Sequence, residues 1–176
     1  MKRAAFLDRD GVINASIVIE GVPTPPRTPD EVVVLPGVRE AIILLQKNQI
    51  VPVVVTNQPD VARGLTTKSN VEAVNKKIQE ITSIGHFFVC FHDDTDDCEC
   101  RKPKPGLITG AAEALNIDLS RSFLVGDRWK DVAAGLKAGV ECFFIDYSYS
   151  ERAPEQPCTV VTSLLEAVQL VIGDQK

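Results

Sequence analysis

Long apolar runs, aromatic residues and positive charge are all scarce in this chain. No run approaches the length needed to cross a bilayer, so a membrane-spanning helix is not expected. Aromatic residues make up only 6% of the total, and no stretch interleaves them with basic side chains as a nucleic-acid groove would. Nineteen lysines and arginines against 24 aspartates and glutamates leave a net charge of −5. That balance argues against nucleic acid or an anionic membrane as the main partner. There is no internal repeat, and the only biased segment is short and proline-rich. The 176 residues are therefore expected to form one domain, 1–176. Met1-Lys2-Arg3 leads straight into an apolar strand without a signal-peptide pattern, and a cytoplasmic location is the expectation.

What is present is organised around Phe6-Leu7-Asp8-Arg9-Asp10-Gly11-Val12-Ile13-Asn14. The apolar run from Ala4 to Leu7 reads as a short buried strand. It ends in two acids flanking a base, then a glycine that permits a sharp turn. Asp8 and Asp10 thus sit at a strand's carboxyl end, where open parallel sheets bind ligands. Two carboxylates so close repel unless a cation or a shared proton intervenes, and hard oxygen ligands favour magnesium. Taken alone, Asp-x-Asp is as compatible with a solvated turn. The rest of the chain narrows the choice.

Residues 15–30 include Gly21-Val22-Pro23-Thr24-Pro25-Pro26-Arg27-Thr28-Pro29, a proline density that predicts a rigid surface loop. That loop is either a wall facing the substrate or a plain connector. Apolar spacing predicts helices from Val38 to Lys47, Thr67 to Ile84, Gly106 to Leu115, Trp129 to Ala138 and Leu164 to Val171. Ser69 with Glu72 is a candidate capping box for the second of these. Strands are predicted from Ile50 to Val55, His86 to Phe91, Ser122 to Val125 and Val140 to Ile145, with Pro52 the one discordant residue. Strands alternating with helices predict an α/β fold: a doubly wound, Rossmann-like parallel sheet with helices on both faces. Neither the stretch before Val38 nor the one after Thr56 has room for a large cap domain.

Three of the five cysteines crowd between positions 90 and 100, which points to metal rather than disulfides. Cys90-x-His92 and Cys98-x-Cys100 supply four soft or borderline ligands around the spacer Asp93-Asp94-Thr95-Asp96-Asp97. Three thiolates and one imidazole suit tetrahedral zinc in a closed structural site. Cys142 and Cys158 lie apart and are expected to be buried apolar residues or bystanders. The inserted zinc loop, 90–100, runs directly into Arg101-Lys102-Pro103-Lys104-Pro105. Tying that run down with metal on one side and prolines on the other lowers the entropy lost when its cations engage a phosphate. A solvated basic run is the bland alternative.

Two further strands end in polar residues. Val53-Val54-Val55 leads into Thr56-Asn57-Gln58, whose hydroxyl, carboxamide and backbone N–H groups can hold phosphate oxygens. Phe123-Leu124-Val125 leads into Gly126-Asp127-Arg128-Trp129-Lys130-Asp131, where Asp127 is placed to complete a magnesium site with Asp8 and Asp10. Asp131, one helical turn on, either orients a lysine such as Lys102 or caps the helix.

Four polar clusters in this order resemble the motifs of the haloacid dehalogenase superfamily of phosphotransferases. They are Asp8-Arg9-Asp10-Gly11-Val12, Thr56, Lys102 within Arg101-Lys102-Pro103, and Gly126-Asp127 with Asp131. The zinc loop and Cys100-Arg101-Lys102-Pro103 are similar to the small capless branch that holds heptose bisphosphate and histidinol-phosphate phosphatases. Thr56-Asn57-Gln58 with Ala62-Arg63-Gly64 resembles the heptose group in particular. The resemblance implies that Asp8 is a nucleophile forming an aspartyl phosphate, and that Asp10 is general acid for the leaving alkoxide, then base for water. It implies magnesium on Asp8, the Asp10 backbone carbonyl and Asp127. Phosphate binding would fall to Thr56, Asn57 and Lys102, with Arg101 and Arg128 touching the rest of the substrate. The implied substrate is a small phosphosugar, a heptose bisphosphate before histidinol phosphate and a polynucleotide end third, taken by a monomer. An inactive zinc-knuckle binding module on the same scaffold is the contrasting reading. Retention of Asp8, Asp10, Thr56, Lys102 and Asp127 disfavours it. Where the heptose enzymes usually read Thr-Asn-Gln-Ser-Gly, this chain reads Thr56-Asn57-Gln58-Pro59-Asp60, which removes a hydroxyl and adds an acid near the sugar side.

Overall fold

Continuous apolar runs make strands that need cover on both faces, and the central sheet meets that need. The structure, a computed structural model, describes residues 1–19 and 22–173. In chain order it contains β1 (Arg3–Leu7), β2 (Ile17–Ile19), β3 (Val22–Thr24), α1 (Val38–Lys47), β4 (Ile50–Asn57), α2 (Lys68–Thr82) and β5 (His86–Cys90). There follow α3 (Gly106–Leu115), β6 (Phe123–Gly126), α4 (Trp129–Ala138), β7 (Glu141–Ile145), β8 (Thr159–Val161) and α5 (Leu164–Gly173). Six strands form one parallel sheet in the order β5-β4-β1-β6-β7-β8.

Successive strand residues face opposite layers. Ala5, Leu7, Val54, Val125 and Ile145 pack with α1, α2 and α5, whereas Ala4, Phe6, Val53, Val55 and Leu124 pack with α3 and α4. Helices therefore cover both faces, as a doubly wound sheet requires. The chain leaves β1 toward β4 and later returns to its other side at β6, so the order reverses at β1. The carboxyl end of β1 is the topological switch point, the place where such sheets bind ligands.

Four features depart from the sequence reading. The proline-rich segment is not a plain loop: β2 and β3 pair as an antiparallel hairpin, and Pro29–Glu31 form a turn of 3-10 helix. Pro23, opposite Val18, is tolerated because this ribbon has only two strands and leaves one side of each free. Gly21, the first residue of the predicted segment, lies outside the described residues. Pro52 sits inside β4 opposite Ala5, but β5 begins pairing only at Val53, so no neighbour on that flank lacks an N–H at Pro52. The cap of α2 is Thr67, whose hydroxyl accepts from Asn70 N at 3.1 Å; Ser69 lies within the first turn and caps nothing. Finally, β8 went unforeseen because three residues after a proline-containing stretch carry no readable period.

Candidate active site

Two bare glycines let the acids at the strand ends approach one another. Gly11 turns the chain after β1 with φ +88°, and a Cβ there would stand 2.0 Å from Asp127 Oδ2. A Cβ on Gly126, at the end of β6, would stand 2.2 Å from the Asp131 Cβ. With both side chains missing, ligand oxygens of Asp8, Asp127 and Asp131 fall within 4.8 Å of one another, all three residues buried.

One ammonium serves these three carboxylates. Lys102, 2% exposed, donates from Nζ to Asp8 Oδ1 at 2.8 Å and to the Val55 carbonyl at 2.8 Å, and pairs with Asp131 Oδ1 at 2.5 Å. Asp131 also accepts from Arg128 N at 3.0 Å, so it both orients the lysine and caps α4. The two roles posed as alternatives coexist because its two oxygens point to different partners. Among the described residues no donor stands within hydrogen-bond distance of either buried Asp127 oxygen, although the Tyr149 phenol is near enough to pull that carboxyl down. Burial pushes Asp8 up to about 7, against the pull of Lys102 and with the push of Asp131 and Asp10. Burial likewise raises Asp127, reinforced by the charges of Asp8 and Asp131. For Lys102 burial acts downward, yet Asp131 and Asp8 outweigh it and hold the ammonium on. Three acids, one base and two orphaned oxygens fit a hard divalent cation bound through oxygen.

Asp10 has a different environment. Its carboxylate accepts from Arg9 Nε at 3.2 Å and Arg9 Nη2 at 3.1 Å, from Asn14 Nδ2 at 2.9 Å and from Gln58 Nε2 at 2.8 Å. Gln58 Nε2 also donates to Thr56 Oγ1 at 2.9 Å. The Thr56 hydroxyl is thus turned toward Gln58, and Thr56 is not among the residues lining the cleft described next. Sequence alone could not rank Arg9 or Asn14 as site residues, and it placed Gln58 among phosphate ligands rather than on Asp10, because nothing in a sequence marks which polar side chains will be buried together.

The cleft above these groups encloses about 280 Å³ and is lined by Asp8, Asp10, Asn57, Arg101, Lys102, Asp127 and Arg128, all of them predicted site residues. Asn57 makes two reciprocal bonds to the backbone of Lys102, at 3.0 and 3.1 Å, and so fixes the loop that carries it. Arg128 is paired with Glu151. Pro23, Thr24 and Pro25 of the hairpin form part of the wall, which favours the substrate-facing alternative over a plain connector. Asp60 lines the cleft too, 3.7 Å from Arg63 and 4.0 Å from Arg27.

Beside the cleft, Cys90, His92, Cys98 and Cys100 gather their ligand atoms into one cluster. Sulfur–sulfur separations run from 3.0 to 3.6 Å, and His92 Nδ1 lies 3.3 Å from Cys100 Sγ. A tetrahedral Zn–S bond of about 2.3 Å sets sulfur–sulfur edges near 3.8 Å, so the four ligands are gathered about one point and need to spread by a few tenths of an ångström to close on zinc. The spacer acids reach back to the cleft: Asp93 bonds Arg63 at 2.6 and 2.7 Å, and Asp94 bonds Arg101 at 2.8 Å and Lys130 at 3.5 Å. Arg63, hydrogen-bonded to Asp93, holds that carboxyl down at about 2.

The family profile of haloacid dehalogenase-like hydrolases matches residues 26–139. A D-glycero-beta-D-manno-heptose-1,7-bisphosphate 7-phosphatase from Pseudomonas putida is 32% identical over 168 residues, covering 92% of each chain. A D-glycero-alpha-D-manno-heptose-1,7-bisphosphate 7-phosphatase from Photorhabdus laumondii is 28% identical, covering 96% of each. The crystal structure of the D,D-heptose 1,7-bisphosphate phosphatase from B. bronchiseptica, complexed with magnesium and phosphate, superposes with a TM-score of 0.85. It is 27% identical and covers 98% of this chain and 99% of that one.

Proposed function

The chain belongs to the haloacid dehalogenase-like hydrolases, and we propose that it is a magnesium-dependent phosphatase removing the 7-phosphate of a D-glycero-D-manno-heptose 1,7-bisphosphate. The observation that carries this reading is the meeting of Asp8, Asp127 and Lys102 at the switch point of the sheet, with both Asp127 oxygens lacking a donor. The substrate follows from relatives of nearly equal length that bear this activity in their names.

In this mechanism an oxygen of Asp8 attacks phosphorus in line with the leaving group. The new bond to Asp8 forms as the ester P–O bond breaks, and the Asp10 carboxyl gives its proton to the departing sugar oxygen. Asp10 then takes a proton from water, which attacks the aspartyl phosphate and releases inorganic phosphate with Asp8 restored. Lys102 offsets charge on the transferring phosphoryl group, Thr56 and Asn57 organise its surroundings, and Arg101 and Arg128 contact the rest of the substrate. Asp8, Asp127 and the Asp10 backbone carbonyl would hold magnesium, which would supply the remaining neutralisation that lets a carboxylate approach a phosphate dianion. Cys90, His92, Cys98 and Cys100 would hold a structural zinc, which would keep the spacer acids against Arg63 and Arg101.

The test is phosphate release from both anomers of the heptose bisphosphate, histidinol phosphate and simple phosphosugars, with and without magnesium. A heptose bisphosphate should lead the panel, the metal should be required, and Asp8→Asn should abolish turnover. Metal analysis of the purified protein should find about one zinc per chain. Preference for histidinol phosphate would overturn the substrate, and activity in Asp8→Asn would overturn the covalent route.

A further inference from the structure

We infer that Asn75, a residue of α2 outside the cleft, is a positioning residue for the acid catalyst, acting through Arg9. The inference rests on Asp10 being the proton donor to the leaving oxygen, as set out above. Arg9 is fully buried and its guanidinium is divided between two duties. Nε and Nη2 take the two oxygens of Asp10 in a fork, and Nη1 donates to Asn75 Oδ1 at 2.9 Å. Asn75 is itself 8% exposed and lies on the inward face of its helix, beside Val71, Val74 and Ile78.

The physical need is one of orientation. Gln58 and Asn14 give each oxygen of Asp10 one neutral donor, carried on two separate side chains that can shift independently. A guanidinium fork fixes the carboxylate plane, because a planar five-donor group meets two oxygens at once. The fork holds only if the guanidinium is anchored from behind, and Asn75 supplies that anchor from a helix packed on the sheet. Removing the anchor leaves a buried N–H of a permanently charged group without its acceptor, and Arg9 must turn to find another. Asp10 turns with it. Proton delivery then suffers while Asp8, Lys102 and the acid cluster are untouched, since Asn75 bonds none of them.

That selectivity gives a readout that a general packing defect would not. When Asp10 delivers its proton, the O–H bond to the leaving oxygen forms as the P–O bond breaks, so leaving-group basicity matters little. When delivery fails, the oxygen departs with more negative charge and poor leaving groups are penalised. The experiment is kcat/KM for a series of ring-substituted phenyl phosphates, with magnesium saturating, for the wild type, Asn75→Ala and Asn75→Asp. In Asn75→Ala, phenyl phosphate should lose about 10-fold or more while para-nitrophenyl phosphate changes by less than about threefold, a fraction of the 10²–10⁴ that general acid catalysis supplies. Asn75→Asp keeps an acceptor for Nη1 and should retain the shallow wild-type dependence. Should Asn75→Ala fail to fold, Asn75→Ser, too short to reach Nη1, carries the same comparison. An equal loss across the series, or none, would overturn the inference. Aryl esters make the result independent of the sugar: failure of the heptose panel removes the substrate assignment and leaves this comparison intact. A wild type that cleaves no ester would remove both.

Discussion

Replacing Lys102 with methionine isolates the charge on which the acid cluster depends. Methionine keeps an unbranched side chain of similar length, so the main loss is the ammonium that lies 2.8 Å from Asp8 and 2.5 Å from Asp131. Removing one partner from a buried ion pair costs roughly 3–5 kcal/mol, because the carboxylates left behind have no counter-charge. At a urea slope of about 2 kcal/mol per molar, the unfolding midpoint of the metal-free protein should fall by roughly 2 M. The deficit should shrink with acid. Burial raises Asp8 to about 7 even against the pull of its lysine, and without that lysine Asp8 and Asp127 hold their protons to still higher pH. At about pH 5 Asp8 is protonated in the variant, and the difference from wild type should drop by about half or more. Magnesium added at about pH 8 should recover much of the lost stability by re-supplying positive charge, whereas kcat/KM should stay at least about 100-fold down. Urea titrations at the two pH values, with and without magnesium, measure all of this. A midpoint shift under about 0.5 M that does not depend on pH would refute the view that Lys102 is the counter-charge of this cluster.

Metal-free wild type should itself be stabler at about pH 5 than at about pH 7.5. Asp8 is raised above its unfolded value of 3.8 to about 7, so its contribution is full below about 4 and is lost as pH climbs through 7. One such carboxyl is worth up to about 4 kcal/mol over that window, and magnesium should flatten the slope, as urea midpoints across pH would record. The depressed acids do not mask this, since Asp93 is held at about 2 and titrates below the window. Gly11→Ala should weaken both fold and site: φ +88° costs a side chain about 1–2 kcal/mol, and its Cβ would overlap Asp127 Oδ2. Activity titrated with magnesium should need about 10-fold more metal for half-saturation, and an unchanged titration would show that Asp127 tolerates the displacement.

The strand ends were legible because each carries a sharp change in chemistry. Leu7 to Asp8, Val55 to Thr56 and Val125 to Asp127 each pass from a run covered on both faces to a polar group within two residues. Such a break is visible in one dimension, and three of them in order define the switch point of a doubly wound sheet. The cysteine–histidine cluster was legible for a similar reason, since Cys90-x-His92 and Cys98-x-Cys100 have no common packing role. What could not be read was which side of a side chain faces what. Arg9, between two acids, looks like a solvated charge and is fully buried. Asp131 was posed as cap or lysine partner, and its two oxygens do both. The hairpin was hidden because β2 exposes its three aliphatic residues, so its pattern has no buried face to betray it.

Asp8 and Asp10 are two residues apart, yet the fold gives them different company, and that difference is the basis of the proposed division of labour. Asp8 is buried among like charges: Asp127 and Asp131 crowd it, and its one ammonium is shared with Asp131. A carboxylate so placed gains most from a divalent cation, and once neutralised it can approach another anion. Asp10 instead faces a guanidinium and two carboxamides, which fix its orientation without placing it in the acid cluster. The alternation of strand and turn accounts for the split. Asp8 continues the line of β1 toward β6 and meets the loop carrying Lys102. Asp10 lies in the turn after β1, where its carboxylate meets Gln58, Asn14 and Arg9, and Arg9 reaches the helix that carries Asn75. Exchanging the two environments would leave both carboxylates present and neither able to act. The same crowding that costs the metal-free fold stability near neutral pH creates the affinity for a cation, so a variant stabilised by replacing Asp127 with asparagine should lose magnesium binding in the same step.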